Sequence, residues 1–282
     1  MKNKVLTGLL LVLIGGWGSL SAQSAGSNYS RQVNTLIGTK GVGLTSGYLY
    51  PGATYPYGMV QFTPSYFSKR SGFVINQLSG GGCEHMGNFP TFPVKGKLKM
   101  SPDNILNYRI NISEEKGHAG YYEAMVQEDI KAKLTVTERT GMASYEYPAD
   151  QQYGTVIIGG GISATPIEQA AIVITAPNKC EGYAEGGNFC GLRTPYKVYF
   201  VAEFDTDALE SGTWKRNELK PNTTFAEGEY SGVYFTFDVN KKKNIQYKIG
   251  VSYVSVENAV SYTHLRAHET GAFLVCRLLL EK

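Results

Sequence analysis

The segment from Gln77 to Pro90 is called the glycine loop from here on. It carries, close together in the sequence, the side chains that could take part in the most kinds of binding chemistry. Its candidate binding residues are Gly80, Gly81, Gly82, Cys83, Glu84, His85 and Asn88. Consecutive glycines allow backbone conformations closed to other residues and let a ligand approach closely. A carboxylate, an imidazole and an amide can each bond sugar hydroxyls. The segment is therefore a candidate binding loop, and a structural turn with incidental polar groups is the alternative.

A second glycine cluster lies at Val156–Ala164 and formally matches a strand followed by G-x-G-x-x-A. A dinucleotide site needs a helix next, because the amides at the helix N-terminus hold the pyrophosphate. Thr165 and Pro166 are followed instead by another strand-like run. We therefore interpret the cluster as a glycine-rich turn at the end of a strand.

The cysteines raise the question of which disulfide would form if the protein is exported. Cys180 and Cys190 bracket a short glycine-containing segment, and in an exported protein this spacing is compatible with a local disulfide between them. Free thiols, or a pair that Cys83 forms with either of the two, are the alternatives. We take the Cys180–Cys190 pair as the prediction.

The first residues have the pattern of an export signal. Lys2 and Lys4 precede an apolar run from Val5 to Ile14, and small residues follow up to Ala22. This pattern predicts a secretory signal peptide over residues 1–22, and the run is too short to span a membrane as a stable helix. We expect a periplasmic or secreted protein with no membrane span.

The last residues of the chain differ in character from the rest of the sequence. Residues 260–282 resemble the translation of a sequencing adapter, so we predict a non-native tail over 259–282 and expect the natural sequence to continue differently after Asn258. His264 and His268, with Glu269 beside them, have the spacing of metal ligands on a helix. Because they lie in this tail, we do not assign them to a zinc site.

Charge and periodicity define the class of the remaining domain, residues 27–258. The whole chain has 27 basic and 24 acidic residues, of which 22 of each lie in this domain. No long basic run interleaved with aromatics occurs in the domain, so nucleic-acid binding has little support. Ile130–Thr137 alternates apolar and polar residues as a half-buried strand does. About ten such runs without intervening helices predict an all-β fold of two packed antiparallel sheets, with a closed barrel as the alternative.

A series of short motifs runs through this domain. They are V-N-T-L-I-G-T at 33–39, P-G-A-T-Y-P-Y-G-M-V-Q at 51–61, L-S-G-G-G-C at 78–83, Cys190-Gly191 before V-Y-F-V-A-E-F at 198–204, and I-G-V-S-Y-V-S-V-E-N at 249–258. In this order they resemble the N-terminal domain of glycoside hydrolase family 92, the calcium-dependent α-mannosidases. The chain departs from the family pattern at 40–50 and after Cys83, where Gly87-Asn88 stands in place of a G-D pair.

The resemblance implies a β-sandwich of the galactose-mutarotase-like supersandwich type, without the (α/α)6 barrel that follows it in the full enzyme. It also implies part of a secreted, calcium-dependent, inverting exo-α-mannosidase, α-1,2-mannosidase-like, that acts on mannose-containing glycans. Inversion uses a protonated carboxylic acid and a carboxylate that activates water. These groups and the calcium ligands belong to the missing C-terminal domain, so we assign no catalytic residue or metal ligand here and expect the fragment alone to be inactive.

The same resemblance places the glycine loop at the wall of a sugar pocket between two domains. We expect Cys83, Glu84, His85, Asn88 and Tyr50 to lie near the sugar, and Gly80, Gly81 and Gly82 to shape the loop. A stand-alone carbohydrate-binding β-sandwich module is the alternative function. A surface β-sandwich without a ligand is a further alternative.

Overall fold

The structure is a computed structural model that describes residues 33–39, 49–65, 72–83, 85–103 and 111–263. The predicted signal peptide, Glu84 and the tail beyond Thr263 lie outside these residues. The strands are β1 (Ala53–Thr54), β2 (Gln61–Pro64), β3 (Phe73–Val74), β4 (Thr91–Lys95), β5 (Ile112–His118), β6 (Tyr121–Val126), β7 (Ile130–Val136), β8 (Thr140–Glu146), β9 (Tyr153–Gly159), β10 (Ile167–Ala176), β11 (Lys179–Phe189), β12 (Leu192–Phe204), β13 (Glu210–Lys215), β14 (Glu218–Pro221), β15 (Phe225–Glu227), β16 (Ser231–Asp238) and β17 (Asn244–Ser252). A helix, α1, spans Val256–Thr263.

The strands form two sheets. One has eight strands in the order β1-β2-β3-β4-β9-β16-β13-β14, and the other has nine in the order β15-β10-β11-β12-β17-β8-β7-β6-β5. Neighbouring strands run antiparallel, as in the pairing of Tyr199 with Ser252 between β12 and β17. The predicted all-β sandwich of two antiparallel sheets is confirmed.

The core lies between the sheets and follows the alternation in the sequence. In β7, Ile130, Ala132 and Leu134 are fully buried, whereas Lys131 and Lys133 point away from the core. Burying a side chain such as leucine contributes about 1.5–3 kcal/mol, so the two-residue period fixes which face of the strand turns inward.

Hydroxyl groups are also buried between the layers. Tyr145 and Tyr247 are almost fully buried, and both hydroxyls lie within hydrogen-bond distance of Thr91 Oγ1, at 3.1 and 2.5 Å. Burial raises the pKa of both phenols, so they remain neutral. The contacts connect the eight-stranded sheet, through β4, to β8 and β17 of the other sheet, and they satisfy groups whose burial without partners would be costly.

The second glycine cluster ends β9, as interpreted from the sequence. The N–H groups of Gly160 and Gly161 both donate to Ser231 O, at 2.9 and 3.0 Å. A Cβ at Gly161 would lie 2.0 Å from Gly228 O, so the backbone approaches too closely there for any side chain. The next element is the strand β10, where a dinucleotide site would need a helix.

Helix α1 packs on the outer face of the nine-stranded sheet, and the predicted domain boundary after Asn258 lies within it. A Cβ at Gly250 of β17 would lie 2.4 Å from Ala259 O, so the helix rests directly on the strand backbone. Thr140 Oγ1 of β8 donates to Tyr262 O at 2.6 Å. Among the described residues, no helix has the length and apolar composition needed to cross a membrane.

Strand β11 explains the position of Cys180. Cys180, Gly182 and Ala184 face the core, while Tyr183 and Glu185 face outward. A Cβ at Gly182 would lie 2.2 Å from Ala171 O of the neighbouring strand. The segment that looked like a glycine-containing loop is therefore an inner strand of the nine-stranded sheet.

The Cys180 thiol should resist modification in the folded protein. It is fully buried, and burial raises the pKa of the thiol, so very little reactive thiolate forms. We expect the Cys180 peptide to stay unmodified when native protein is treated with iodoacetamide at pH 8, and to be alkylated once the protein is unfolded in urea. Peptide mass mapping measures both states, and rapid labelling of Cys180 under native conditions would contradict its placement in β11.

Candidate functional site

The glycine loop connects β3 and β4 of the eight-stranded sheet and lies beside the tip of the β11–β12 hairpin of the other sheet. Hereafter the hairpin tip means residues 188–193. Asn188 and Arg193 still pair across this hairpin, as do Phe189 and Leu192. Gly191 has a φ of 83°, which allows the tight turn. The candidate site therefore lies at one end of the sandwich, where the two layers meet.

A disulfide joins Cys83 of the glycine loop to Cys190 of the hairpin tip. The predicted Cys180–Cys190 pair is wrong. Cys180 and Cys190 lie near opposite ends of β11, about 33 Å apart at about 3.3 Å per residue, far beyond disulfide reach. Cys83 and Cys190 have Cα atoms 5.5 Å apart although 107 residues separate them in the chain. The bond crosslinks the two sheets at the candidate site.

Asn88 is a hydrogen-bonding hub beneath the glycine loop. It is fully buried, and its backbone N–H donates to Asn76 Oδ1 at 2.7 Å. Its own Oδ1 accepts from Asn76 Nδ2 and from the Tyr196 hydroxyl, both at 3.0 Å. Tyr196 belongs to β12, so this network also links the two sheets. Asn88 holds the loop in place and presents no surface to solvent.

Tyr253, which follows β17, extends the network to the surface. Its hydroxyl lies 3.4 Å from Asn76 Nδ2 and 3.8 Å from Met86 Sδ. Burial raises the pKa of Tyr253 and of Tyr196, so both hydroxyls stay protonated. Met86 O accepts from Ala164 N at 2.7 Å, which attaches the loop to the turn after β9. The loop is thus held by contacts with β12, with the segment after β17 and with the turn after β9.

The loop backbone is unusual in its conformation. Met86 and Phe89 have φ values of 54° and 53°, a left-handed region that costs energy for residues with a Cβ. Gly80, Gly82 and Gly87 share this region at 75° without that cost. Such conformations persist where surrounding contacts enforce them, and they concentrate at ligand sites.

His85 lies against the hairpin tip. Its imidazole and the Phe189 ring have centroids 4.3 Å apart at an interplanar angle of 82°, an edge-to-face contact. His85 Nδ1 is buried without a hydrogen-bond partner among the described residues. Burial lowers the pKa of His85, so the neutral imidazole predominates at pH 7. A neutral imidazole can both donate a hydrogen bond and accept one.

Gln77 begins the loop and is fully buried. Neither polar atom of its side-chain amide has a hydrogen-bond partner within the part of the chain that the structure describes. A Cβ at Gly87 would lie 3.6 Å from Gln77 Nε2, so this amide lies directly beneath the loop backbone. Buried amides without partners are costly, and their occurrence marks the loop as a site of interest.

The structure thus brings together most of the residues selected from the sequence. Cys83, His85 and Asn88 lie in one loop, and the Tyr50 N–H donates to Ser79 Oγ of that loop at 3.1 Å. Glu84 lies outside the described residues. Sequence reasoning missed a set of contributing residues, which comprises Asn76, Gln77, Phe189, Tyr196 and Tyr253. The long sequence separations of the last three from the loop gave no signal for their proximity.

No cluster of three or more His, Cys, Asp or Glu side chains that could hold a metal ion occurs among the described residues. The described side chains of this loop and hairpin offer hydrogen-bonding and apolar contacts.

Comparison with known sequences identifies the family. The sequence profile of the glycosyl hydrolase family 92 N-terminal domain matches residues 32–252. An uncharacterized secreted glycosidase of Arthroderma benhamiae is 31% identical over 138 residues, which are 42% of this chain and 17% of that protein.

Solved structures show the same fold. The GH92 α-mannosidase BT3965 of Bacteroides thetaiotaomicron superimposes with a TM-score of 0.70 at 23% identity, over 86% of this chain and 36% of that one. The inverting mannosidase BT2199 of the same organism gives 0.68 at 22%, over 83% and 33%. The chain therefore spans about a third of the length of these enzymes.

Proposed function

Because the chain belongs to the glycosyl hydrolase family 92 N-terminal domain family, we propose that it forms the non-catalytic wall of the sugar pocket of an exported, inverting exo-α-mannosidase. The proposed substrate is the terminal mannose of a mannose-containing glycan, with an α-1,2 linkage as in the sequence-based expectation. The observation that carries the proposal is the meeting of the glycine loop and the hairpin tip at one end of the sandwich. Pockets commonly form where two domains meet.

The surface around the loop supports a partner domain. Five of the eleven large apolar side chains that the described residues leave exposed are in the loop, in the hairpin tip or beside them: Leu49, Leu78, Leu192, Tyr253 and Val254. Leu192 and Val254 are 68% and 72% exposed. A grouped set of exposed apolar side chains is typical of an interaction surface. We propose that a C-terminal (α/α)6 domain covers it.

Polar groups at the centre of this surface suit a sugar. His85 presents a neutral imidazole beside the aromatic ring of Phe189. Such a pair offers hydrogen bonding to a hydroxyl and an apolar contact for a sugar face. His85, with Glu84 next to it in the sequence, is the proposed sugar contact. Cys83 acts through its disulfide, and Asn88 and Tyr50 support the loop from beneath.

The proposed dependence on calcium rests on the family alone. Among the residues that the structure describes, no set of acidic side chains fits a metal ion. We propose that calcium ligands, together with the acid and base of the inverting reaction, lie in the C-terminal domain. Export is supported by the disulfide and by the similarity to a secreted glycosidase.

The chain by itself should not hydrolyse α-mannosides. We expect no mannose release from α-1,2-mannobiose above a mock preparation, in the presence of calcium, because the proposal places the acid and the base of the inverting reaction in the C-terminal domain. Release is measured by a coupled mannose assay with prolonged incubation. Mannose production that co-purifies with the chain and disappears in a His85→Ala variant would overturn the proposal.

Binding distinguishes the alternative function. A stand-alone carbohydrate-binding module should bind mannosides with a Kd of about 1 mM or tighter, that is, about 4 kcal/mol of binding free energy. Half of a pocket that lacks its second wall should show no saturable binding in this range. Calorimetry with α-methyl mannoside and with mannan measures the difference, and saturable binding would favour the module.

A further inference from the structure

We propose that Phe189 of the hairpin tip is a positioning residue that holds the His85 imidazole in place in the glycine loop. The proposal rests on the proposed function, because His85 is the polar side chain offered there to the sugar. It adds the hairpin tip to the proposed sugar-binding surface; the sequence connected the tip with the loop only through the alternative pairing of Cys83 with Cys190.

Three contacts tie the hairpin tip to the loop. The Phe189 ring packs against the His85 imidazole at 4.3 Å between centroids. A Cβ at Gly81 would lie 3.8 Å from Phe189 Cε2, so the ring also lies against the glycine backbone. The covalent bond between Cys83 and Cys190 joins the residues next to this packing. One ring therefore contacts both the polar side chain and the backbone that carries it.

These contacts limit the movement of His85 more than the loop alone could. Glycines at positions 80–82 leave the preceding backbone free to adopt many conformations. On the other side, Met86 is attached to Ala164 and Tyr253. On the glycine side of His85, the ring of Phe189 and the disulfide restrain the residues next to it, and the Tyr50 N–H holds Ser79 farther along the loop. Preorganisation of this kind raises affinity because less ordering is needed on binding.

A side-chain NMR titration of the complete chain tests this directly. Phe189→Ala should move the His85 Hε1 resonance, because the ring current of Phe189 is lost. It should also raise the His85 pKa towards its ordinary value of 6.5, because removal of the ring admits water. His118, at the end of β5, serves as the internal reference, and His85→Gln identifies the His85 signal.

Two further variants separate positioning from general stability. Phe189→Leu keeps an apolar side chain, so it should lose the ring-current displacement while the pKa stays closer to that of the wild type. Phe225→Ala removes an exposed phenylalanine at the edge strand β15 and should leave the His85 signal unchanged. Circular dichroism establishes that each variant is folded.

The disulfide provides an independent measurement on the unaltered sequence. A dithiol reductant cleaves the sulfur–sulfur bond, leaving thiols at Cys83 and Cys190 while the reductant closes to a cyclic disulfide. The His85 signal should then move in the direction seen in Phe189→Ala. An unchanged His85 resonance and pKa in folded Phe189→Ala overturns the positioning role. Because no mannoside is present, that result would leave the proposed sugar surface standing. Mannose release or saturable mannoside binding by the chain alone would instead contradict the proposed function and leave the positioning role standing.

Discussion

The double substitution Cys83→Ala and Cys190→Ala is expected to lower the free energy of unfolding by about 2–5 kcal/mol. The bond closes 107 residues of chain between two different sheets, so its removal returns much conformational entropy to the unfolded state. With an m-value of about 3 kcal/mol/M, the urea midpoint should fall by about 1 M. Equilibrium denaturation followed by tryptophan fluorescence measures the change.

The reductant supplies the matched control for this prediction. Wild-type protein treated with dithiothreitol should unfold at the midpoint of the double variant, and the double variant itself should not respond to the reductant. A wild-type midpoint that is insensitive to verified reduction would mean that the sheets are held together at this end without the bond.

Asn88→Ala is expected to destabilise the protein by about 2–4 kcal/mol, since two donors lose their acceptor and each unsatisfied group costs about 1–3 kcal/mol. These donors are Asn76 Nδ2 and the Tyr196 hydroxyl. Both are held in the buried region beneath the glycine loop, where water cannot readily replace the amide. Asn240→Ala, at an exposed turn after β16, is the matched control and should change stability by about 0.5 kcal/mol or less.

A double-mutant cycle with Tyr196→Phe isolates the contact between the sheets. The coupling energy between Asn88 and Tyr196 should be about 0.5–3 kcal/mol, as is usual for residues within one hydrogen-bond network. Additive effects of the two substitutions would show that the 3.0 Å contact contributes nothing to stability. The cycle also tests whether Asn88 supports the loop, the role that its complete burial implies.

The roles of Asn88 and His85 differ although they are three residues apart. Asn88 is buried and acts on the loop from beneath, whereas His85 is partly exposed and packs against Phe189. Substitution of Asn88 should therefore alter stability and ligand contact together. Substitution of His85 should alter ligand contact with little loss of stability. This contrast separates a ligand-binding loop from a purely structural turn.

The sequence by itself determined the fold class, and it selected the region of the candidate site. The two-residue apolar period of segments such as Ile130–Val136 specifies half-buried strands, because one face must leave water while the other remains in it. The composition of the glycine loop marked it as a candidate, and the motif order pointed to the family that the comparisons show. These signals are local, so they can be read along the chain.

Only the tertiary structure decided which residues meet at the site. Strand β11 was overlooked because its inward face consists of small residues, Cys180, Gly182 and Ala184, which lack the apolar alternation of an ordinary strand. At Gly182 no side chain fits, because a Cβ would lie 2.2 Å from Ala171 O of the neighbouring strand, a constraint that exists only after the sheet has formed. The same strand carries Cys190 away from Cys180 and delivers it to Cys83. Pairing between residues far apart in sequence depends on sheet order, which local patterns do not encode.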